Sequence, residues 1–185
     1  MQTLPFATEW RSSFGDVLPA GFLCRVALAD RWLRVHSLPE SKRYAETEAE
    51  RAELLHRQNA AATYVLGEDA DCQLVVTRFG ENQAWSFEAL QVDGRTPVHV
   101  LSAGDEDDEL QFFGLPVKWK TASFNDLLLS VADDRTGPVL LADIQRRRIY
   151  APYDGGADLF FASPEEAELA RAHFQGWLSA REDGL

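Results

Sequence analysis

The residue pattern predicts an α+β fold: a mainly antiparallel sheet flanked by one long central helix, a C-terminal helix and one or two short helices. Three observations predict it. Short apolar runs separated by turn residues recur between residues 72 and 162 without regular alternation of strand and helix, a pattern of hairpins rather than of crossover units. A long helical stretch, Ala45 to Leu66, precedes them. A second helical pattern, opened by Ser163-Pro164-Glu165-Glu166, follows them.

Taken in order, Phe6, Trp10 and Phe14 stand at i, i+4 and i+8 and form the apolar stripe of a first short helix. Gly15 and Pro19-Ala20-Gly21 end it. Gly21–Ala29 and Arg31–Ser37 read as a hairpin turning at Ala29-Asp30. On its second strand Trp32, Arg34 and His36 share one face, while Leu33 and Val35 share the other. The long helix ends at Gly67, the residue type favoured just past a helix C-terminus. Leu55, Ala62 and Leu66 lie on one side of it, with Asn59 at the same spacing. Glu46, Glu48 and Glu50 crowd the end where the helix dipole favours negative charge, and Glu53 and Arg57 form an i, i+4 ion pair worth about 0.3–0.5 kcal/mol. Asn59 on the apolar side needs partners for its amide, and the backbone of the preceding loop is the expected one.

Cys72–Phe79 then reads as a strand, followed by a turn at Gly80-Glu81-Asn82, an element of either type at Ala84–Val92, a turn at Asp93-Gly94 and a strand at Val98–Leu101. Asp105–Glu109 is an exposed acidic loop. Leu110–Trp119 is a strand whose Pro116 belongs at an edge or bulge. Ser123–Val131 reads as a short helix capped by Ser123. Val139–Ile144 and Arg148–Tyr150 are strands around a Gln145-Arg146-Arg147 turn, and Asp154-Gly155-Gly156 turns the chain into Asp158–Ala162. The last helix has a Ser163 cap, Pro164 at its first position and Glu166 placed for a capping box. Leu169, His173, Phe174 and Trp177 form its apolar stripe.

Five tryptophans spread over 185 residues predict one domain, 1–185, fed by every segment. The formal charge of −12 and pI near 4.7 repel nucleic acid phosphates and favour a basic protein as partner. Cys24 and Cys72 sit in apolar runs, as buried reduced thiols do. Met1–Pro5 lacks the features of an export signal, and no run approaches the roughly 18 apolar residues of a membrane span. The expected location is cytoplasmic.

The densest polar loop joins the second predicted strand to the long helix: His36-Ser37-Leu38-Pro39-Glu40-Ser41-Lys42-Arg43-Tyr44. In one reading Lys42 and Arg43, with Arg34, grip a phosphate or carboxylate at the helix entrance, and Ser37, Ser41, His36, Glu40 and Tyr44 complete the site. In the other, Pro39 stiffens the turn, Ser41 caps the helix and Glu40 neutralises an arginine. A second polar stretch, Arg146 to Asp158, with Arg146, Arg147, Arg148, Tyr150, Tyr153, Asp154 and Asp158, reads either as a partner-binding surface or as a soluble hairpin turn. No catalytic residue, metal ligand or cofactor is assigned. His36, His56, His99 and His173 lack ligand spacing, the acidic run lacks the form of a calcium loop, and Gly155-Gly156 precedes a strand where a phosphate loop would precede a helix. Whether the chain is an enzyme stays open.

The run Ile149-Tyr150-Ala151-Pro152-Tyr153-Asp154-Gly155-Gly156-Ala157-Asp158-Leu159-Phe160, with the later Phe174-Gln175-Gly176-Trp177-Leu178, resembles the C-terminal part of an uncharacterised bacterial family. There a Tyr-Asp-Asp-Arg-Gly-type turn separates two strands and a last helix ends in a Trp-containing segment. The Asn125-Asp126 helix and the Leu140–Asp143 strand fit as well, so the resemblance covers roughly residues 123–181. Gly155 and Gly156 stand where that family has an acid and an arginine, and no role of that arginine carries over. The Ser37–Tyr44 run is also similar to uncharacterised bacterial proteins. The resemblance implies a fold relationship and bacterial origin, without chemistry.

Three functions follow as expectations. The first is a non-enzymatic protein-binding module, of immunity type, facing a basic partner. The second is a small-ligand binder or enzyme built on the Lys42/Arg43 loop. The third, nucleic acid contact through Arg146–Arg148, is opposed by the net charge.

Overall fold

A computed structural model describes residues 6–80, 92, 94–104 and 109–179. The Ala84–Val92 element apart from Val92, Trp85, most of the Gly80-Glu81-Asn82 turn, Asp93 and the 105–108 part of the acidic loop lie outside them. The fold is α+β, as its alternating apolar pattern predicts. Seven strands form one antiparallel sheet: β1 (Trp32–His36), β2 (Asp71–Phe79), β3 (Val98–Ala103), β4 (Leu110–Lys118), β5 (Val139–Asp143), β6 (Arg148–Tyr153) and β7 (Gly156–Phe160). Their order is β1-β7-β6-β5-β2-β4-β3. The strand nearest the N-terminus therefore pairs with the last one, Arg34 opposite Asp158 and His36 opposite Gly156. Pro116 lies past Gly114, the last β4 residue paired with β3, where its missing N–H interrupts no ladder on that side.

Among the described residues five α-helices cover the two faces: α1 (Phe6–Phe14), α2 (Gly21–Ala27), α3 (Glu48–Leu66), α4 (Asn125–Ala132) and α5 (Pro164–His173). One face packs Leu33, Val35, Leu74, Leu141, Tyr150 and Leu159 against α3, α4 and α5. The other packs Val75, Phe112, Leu140, Ile149 and Phe160 against Trp10, Phe14 and Cys24. Strand alternation sorts these sets, so Trp32, Arg34 and His36 turn toward the α2 side. No described helix is long and apolar enough to cross a membrane.

Four local expectations are corrected. Gly21–Ala27 is helical, not the first arm of a hairpin. Cys24 and the flanking cap residues Ala20 and Leu28 are buried and recur every four positions, while Phe22 and Val26 are exposed, so the helical period wins over the apolar Phe22-Leu23-Cys24 run. The long helix starts at Glu48, and Thr47 caps it: its hydroxyl accepts from Glu50 N–H while Glu50 reaches back to the Thr47 N–H. Ser41 lies in a preceding 3-10 turn with φ 57°, too far upstream to cap. Ser123 does not cap α4 either, since Phe124 holds that position without a side-chain bond. On α5, Leu169 is 69% exposed; Ala167, Ala170 and Phe174 form the buried side, one helical step away. The Ser163 cap is present, accepting from Glu166 N–H.

Candidate functional site

The α2-side face of β1, β7 and β6 carries a buried ion pair. Arg34 and Asp158 meet in a fork, Nε to Oδ1 at 2.8 Å and Nη2 to Oδ2 at 3.0 Å. Trp32 Nε1 donates to the same Oδ1 at 3.0 Å. The guanidinium lies 4.5 Å from the Tyr153 ring centre and 5.8 Å from that of Trp32. Burial opposes the charge on Arg34, but the bonds and negative charge of Asp158 outweigh it and raise its pKa. Both groups are nearly enclosed, so losing one partner would strand the other at a cost of about 3–5 kcal/mol. Burial also pushes the Tyr153 phenol up to about 12, so it stays protonated.

A second arginine closes the rim. Arg43 Nε sits 2.6 Å from Asp154 Oδ2, and the Tyr44 hydroxyl donates to the same oxygen at 3.0 Å. The Arg43 guanidinium lies 5.7 Å from the Tyr44 ring centre. Beneath it is a cleft of about 410 Å³, bounded by Phe22 of α2, Asp134 and Pro138 of the α4–β5 connection, and Ala151, Tyr153 and Asp154 of β6 and its turn.

Lys42 turns the other way. Its Nζ binds Glu46 at 3.0 Å and Glu50 at 2.6 Å, and those bonds and charges raise its pKa. The Glu50 carboxylate is held below its ordinary range by Lys42 and by the Glu46 N–H. The α3 N-terminus is thus occupied by its own Thr47 and Glu50, where an anion would have to bind. Glu40 and Ser41 are exposed in left-handed conformations, φ 56° and 57°, each costing on the order of 1–3 kcal/mol.

Ser37 and His36 part company, as strand alternation predicts. Ser37 is buried and accepts from Gln58 Nε2 at 2.7 Å; that amide also donates to Gly156 O at 2.9 Å. The buried Tyr150 hydroxyl donates to Gln58 Oε1. His36 is 9% exposed, and its Nε2 has no hydrogen-bond partner among the described residues. Burial, then the charges of Arg34 and Arg57, lower its pKa. Asn59 braces a different place from the one expected: its Oδ1 accepts from Ala122 N–H and its Nδ2 donates to Asn125 Oδ1, both at 2.8 Å. Gln58 and Arg57 are the residues that hold the loop, Arg57 Nη1 reaching His36 O at 3.4 Å.

The second polar stretch divides among four places. Arg146 and Arg148 reach across to the C-terminal carbonyls of α3, Leu66 O at 3.2 Å and Val65 O at 3.4 Å, where cations suit the helix dipole. Arg147 is exposed at the turn with φ 56°. Tyr150 is fully buried and offers no surface to a partner. Only Tyr153 and Asp154 join Arg34 and Arg43. Sequence reasoning counted Asp158 in the second polar stretch without giving it Arg34 as partner, and it did not single out Asp134 or Phe22. A charged residue inside the apolar Gly156–Phe161 run did signal that Asp158 needs a cation, but the pairing of the first strand with the last supplies it.

The other histidines are separate. His56 packs edge-on to Trp177, His173 stacks on Tyr64, and His99 bonds Ser102 at 2.9 Å. Burial pushes both cysteine thiols up to about 12, far from a reactive thiolate.

No curated protein and no solved structure matches the chain. The family model for a domain of unknown function, DUF3885, matches residues 21–182, a span that includes β1, the His36–Tyr44 loop, the cleft and α5. The chain belongs to the DUF3885 family.

Proposed function

We propose that the chain is a non-enzymatic protein-binding module, folded as one domain, whose acidic surface engages a basic protein partner in the cytoplasm. One observation carries this reading. The cations of the Arg34–Tyr44 segment are all spent on carboxylates of the same chain: Arg34 on Asp158, Lys42 on Glu46 and Glu50, Arg43 on Asp154. They offer an anion little unless those bonds break. Glu40, Glu48 and Asp134, all exposed, form no ion pair among the described residues. With a formal charge of −12, the field they contribute to attracts cations and speeds encounter with a basic surface.

The two thiols and His36 are all buried: burial pushes both thiols up to about 12, and burial with the charges of Arg34 and Arg57 lowers the His36 pKa. An immunity-type role, stoichiometric capture of a basic toxin, fits such a surface. The test is affinity purification of the tagged full chain from its native host at low and at high salt. A cationic protein retained in equal amount at low salt and released at high salt is expected. Absence of a stoichiometric partner under both conditions overturns the reading.

A further inference from the structure

The cleft beside Arg34 already holds two guanidinium groups, and each is held in the same manner. Arg34 has the Asp158 carboxylate and the Tyr153 ring; Arg43 has the Asp154 carboxylate and the Tyr44 ring. Carboxylate and aromatic face together suit a planar, weakly hydrated cation better than a compact ammonium. The cleft lining has one carboxylate more than it has cations. Asp134 lies on the rim with Asp154 and Asp158, against Arg34 and Arg43. It is exposed and makes no salt bridge within 4 Å among the described residues, although its charge acts on Arg43 from a greater distance. Phe22, also lining the cleft, is 39% exposed. At about 410 Å³ the space is within the range of small binding pockets.

Building on the proposed basic partner, we infer that this cleft receives an arginine side chain of that partner, with its guanidinium on Asp134 and its flat face against Phe22 or Tyr153. The incoming side chain balances the third carboxylate without displacing Arg34 or Arg43. The apolar lining from Pro138 and Ala151 accommodates its methylene stem.

The experiment titrates the full chain with hexa-arginine and hexa-lysine peptides by calorimetry, at low and high salt. Asp134 has φ 54°, a conformation that asparagine tolerates, so Asp134→Asn removes the charge with little threat to folding. Glu165→Gln removes an equal charge from α5, across the sheet. Hexa-arginine is expected to bind more tightly than hexa-lysine. Asp134→Asn is expected to weaken hexa-arginine by about three- to fivefold, the usual worth of one exposed ion pair, and Glu165→Gln by less than about twofold. Phe22→Ser is expected to weaken hexa-arginine and leave hexa-lysine nearly unchanged. Equal losses from Asp134→Asn and Glu165→Gln, or equal affinity for the two peptides, overturns the cleft assignment and leaves the acidic-surface reading standing. Failure of hexa-arginine to bind at low salt overturns it as well, while the purification of a basic partner separately decides the broader reading.

Discussion

The Tyr153 ring lies across Gly156 so closely that a methyl group added to the glycine would stand 2.9 Å from the Tyr153 hydroxyl and 2.0 Å from the Val35 carbonyl oxygen. The second contact is the more severe, because a backbone carbonyl in a strand ladder cannot swing aside. This glycine lets β1 and β7 approach and lets the aromatic wall of the cleft fold over them.

Gly156→Ala is therefore expected to destabilise the fold by about 1–3 kcal/mol or more, the range for overpacking. Gly176, with nothing within 4 Å of an added methyl, supplies the comparison: Gly176→Ala should change stability by less than about 0.5 kcal/mol. Urea unfolding of both variants measures this, and equal effects would refute the steric account.

The cap of α3 separates two serine/threonine positions. Thr47→Ala should cost about 1 kcal/mol through loss of the bond from Glu50 N–H. Ser41→Ala should be nearly neutral, since Ser41 is exposed and stands outside the helix. Thermal unfolding would show a lowered midpoint for the first variant alone; a matching drop in the second would mean that Ser41 has a structural role.

Gln58 joins three elements through one amide. Gln58→Leu leaves the Tyr150 hydroxyl and the Gly156 carbonyl without their buried partner, at about 1–3 kcal/mol for each stranded group. Tyr150→Phe should cost less, and the double variant should fall short of the sum, because the pair shares one bond. A double-mutant cycle in urea tests the coupling; strict additivity would contradict it.

His36 makes stability depend on pH in a definite direction. Its folded-state pKa is depressed below the ordinary 6.5, so near and below that pH the unfolded chain binds more protons. This contribution is whole above the unfolded value and declines as pH falls toward the folded one, with a slope of at most about 1.4 kcal/mol per pH unit. Urea midpoints taken from about pH 7.5 to about pH 5.5 should fall for the wild type and stay flatter for His36→Asn. Parallel slopes would remove His36 from the account.

The fold class was legible in the sequence because alternation and capping act locally: Phe6, Trp10 and Phe14 report α1, and Ser163-Pro164 reports α5. Gly21–Ala27 misled because Phe22-Leu23-Cys24 is apolar on every side, leaving period and run in conflict. The loop His36–Tyr44 stood out in the sequence as its densest polar run. Its use did not, because the partners of Arg34 and Arg43 are Asp158 and Asp154, more than a hundred residues away. A cation's meaning depends on whether a carboxylate already holds it. Tyr150 illustrates the same limit, since its place in a polar stretch hid a position facing α3.

The pairing of β1 with β7 also governs when the cleft comes into being. Translation produces Trp32–His36 early, yet its described ladder partners, Gly156–Phe160 and the bridge from Val35 to Leu178, leave the ribosome more than a hundred residues later. At about 5–20 residues per second that delay is roughly ten seconds. Throughout it Arg34 has no Asp158, and Ser37 and Gln58 have no Gly156. A nascent chain therefore carries an unfinished edge, and a chain stopped before β7 would never assemble the cleft.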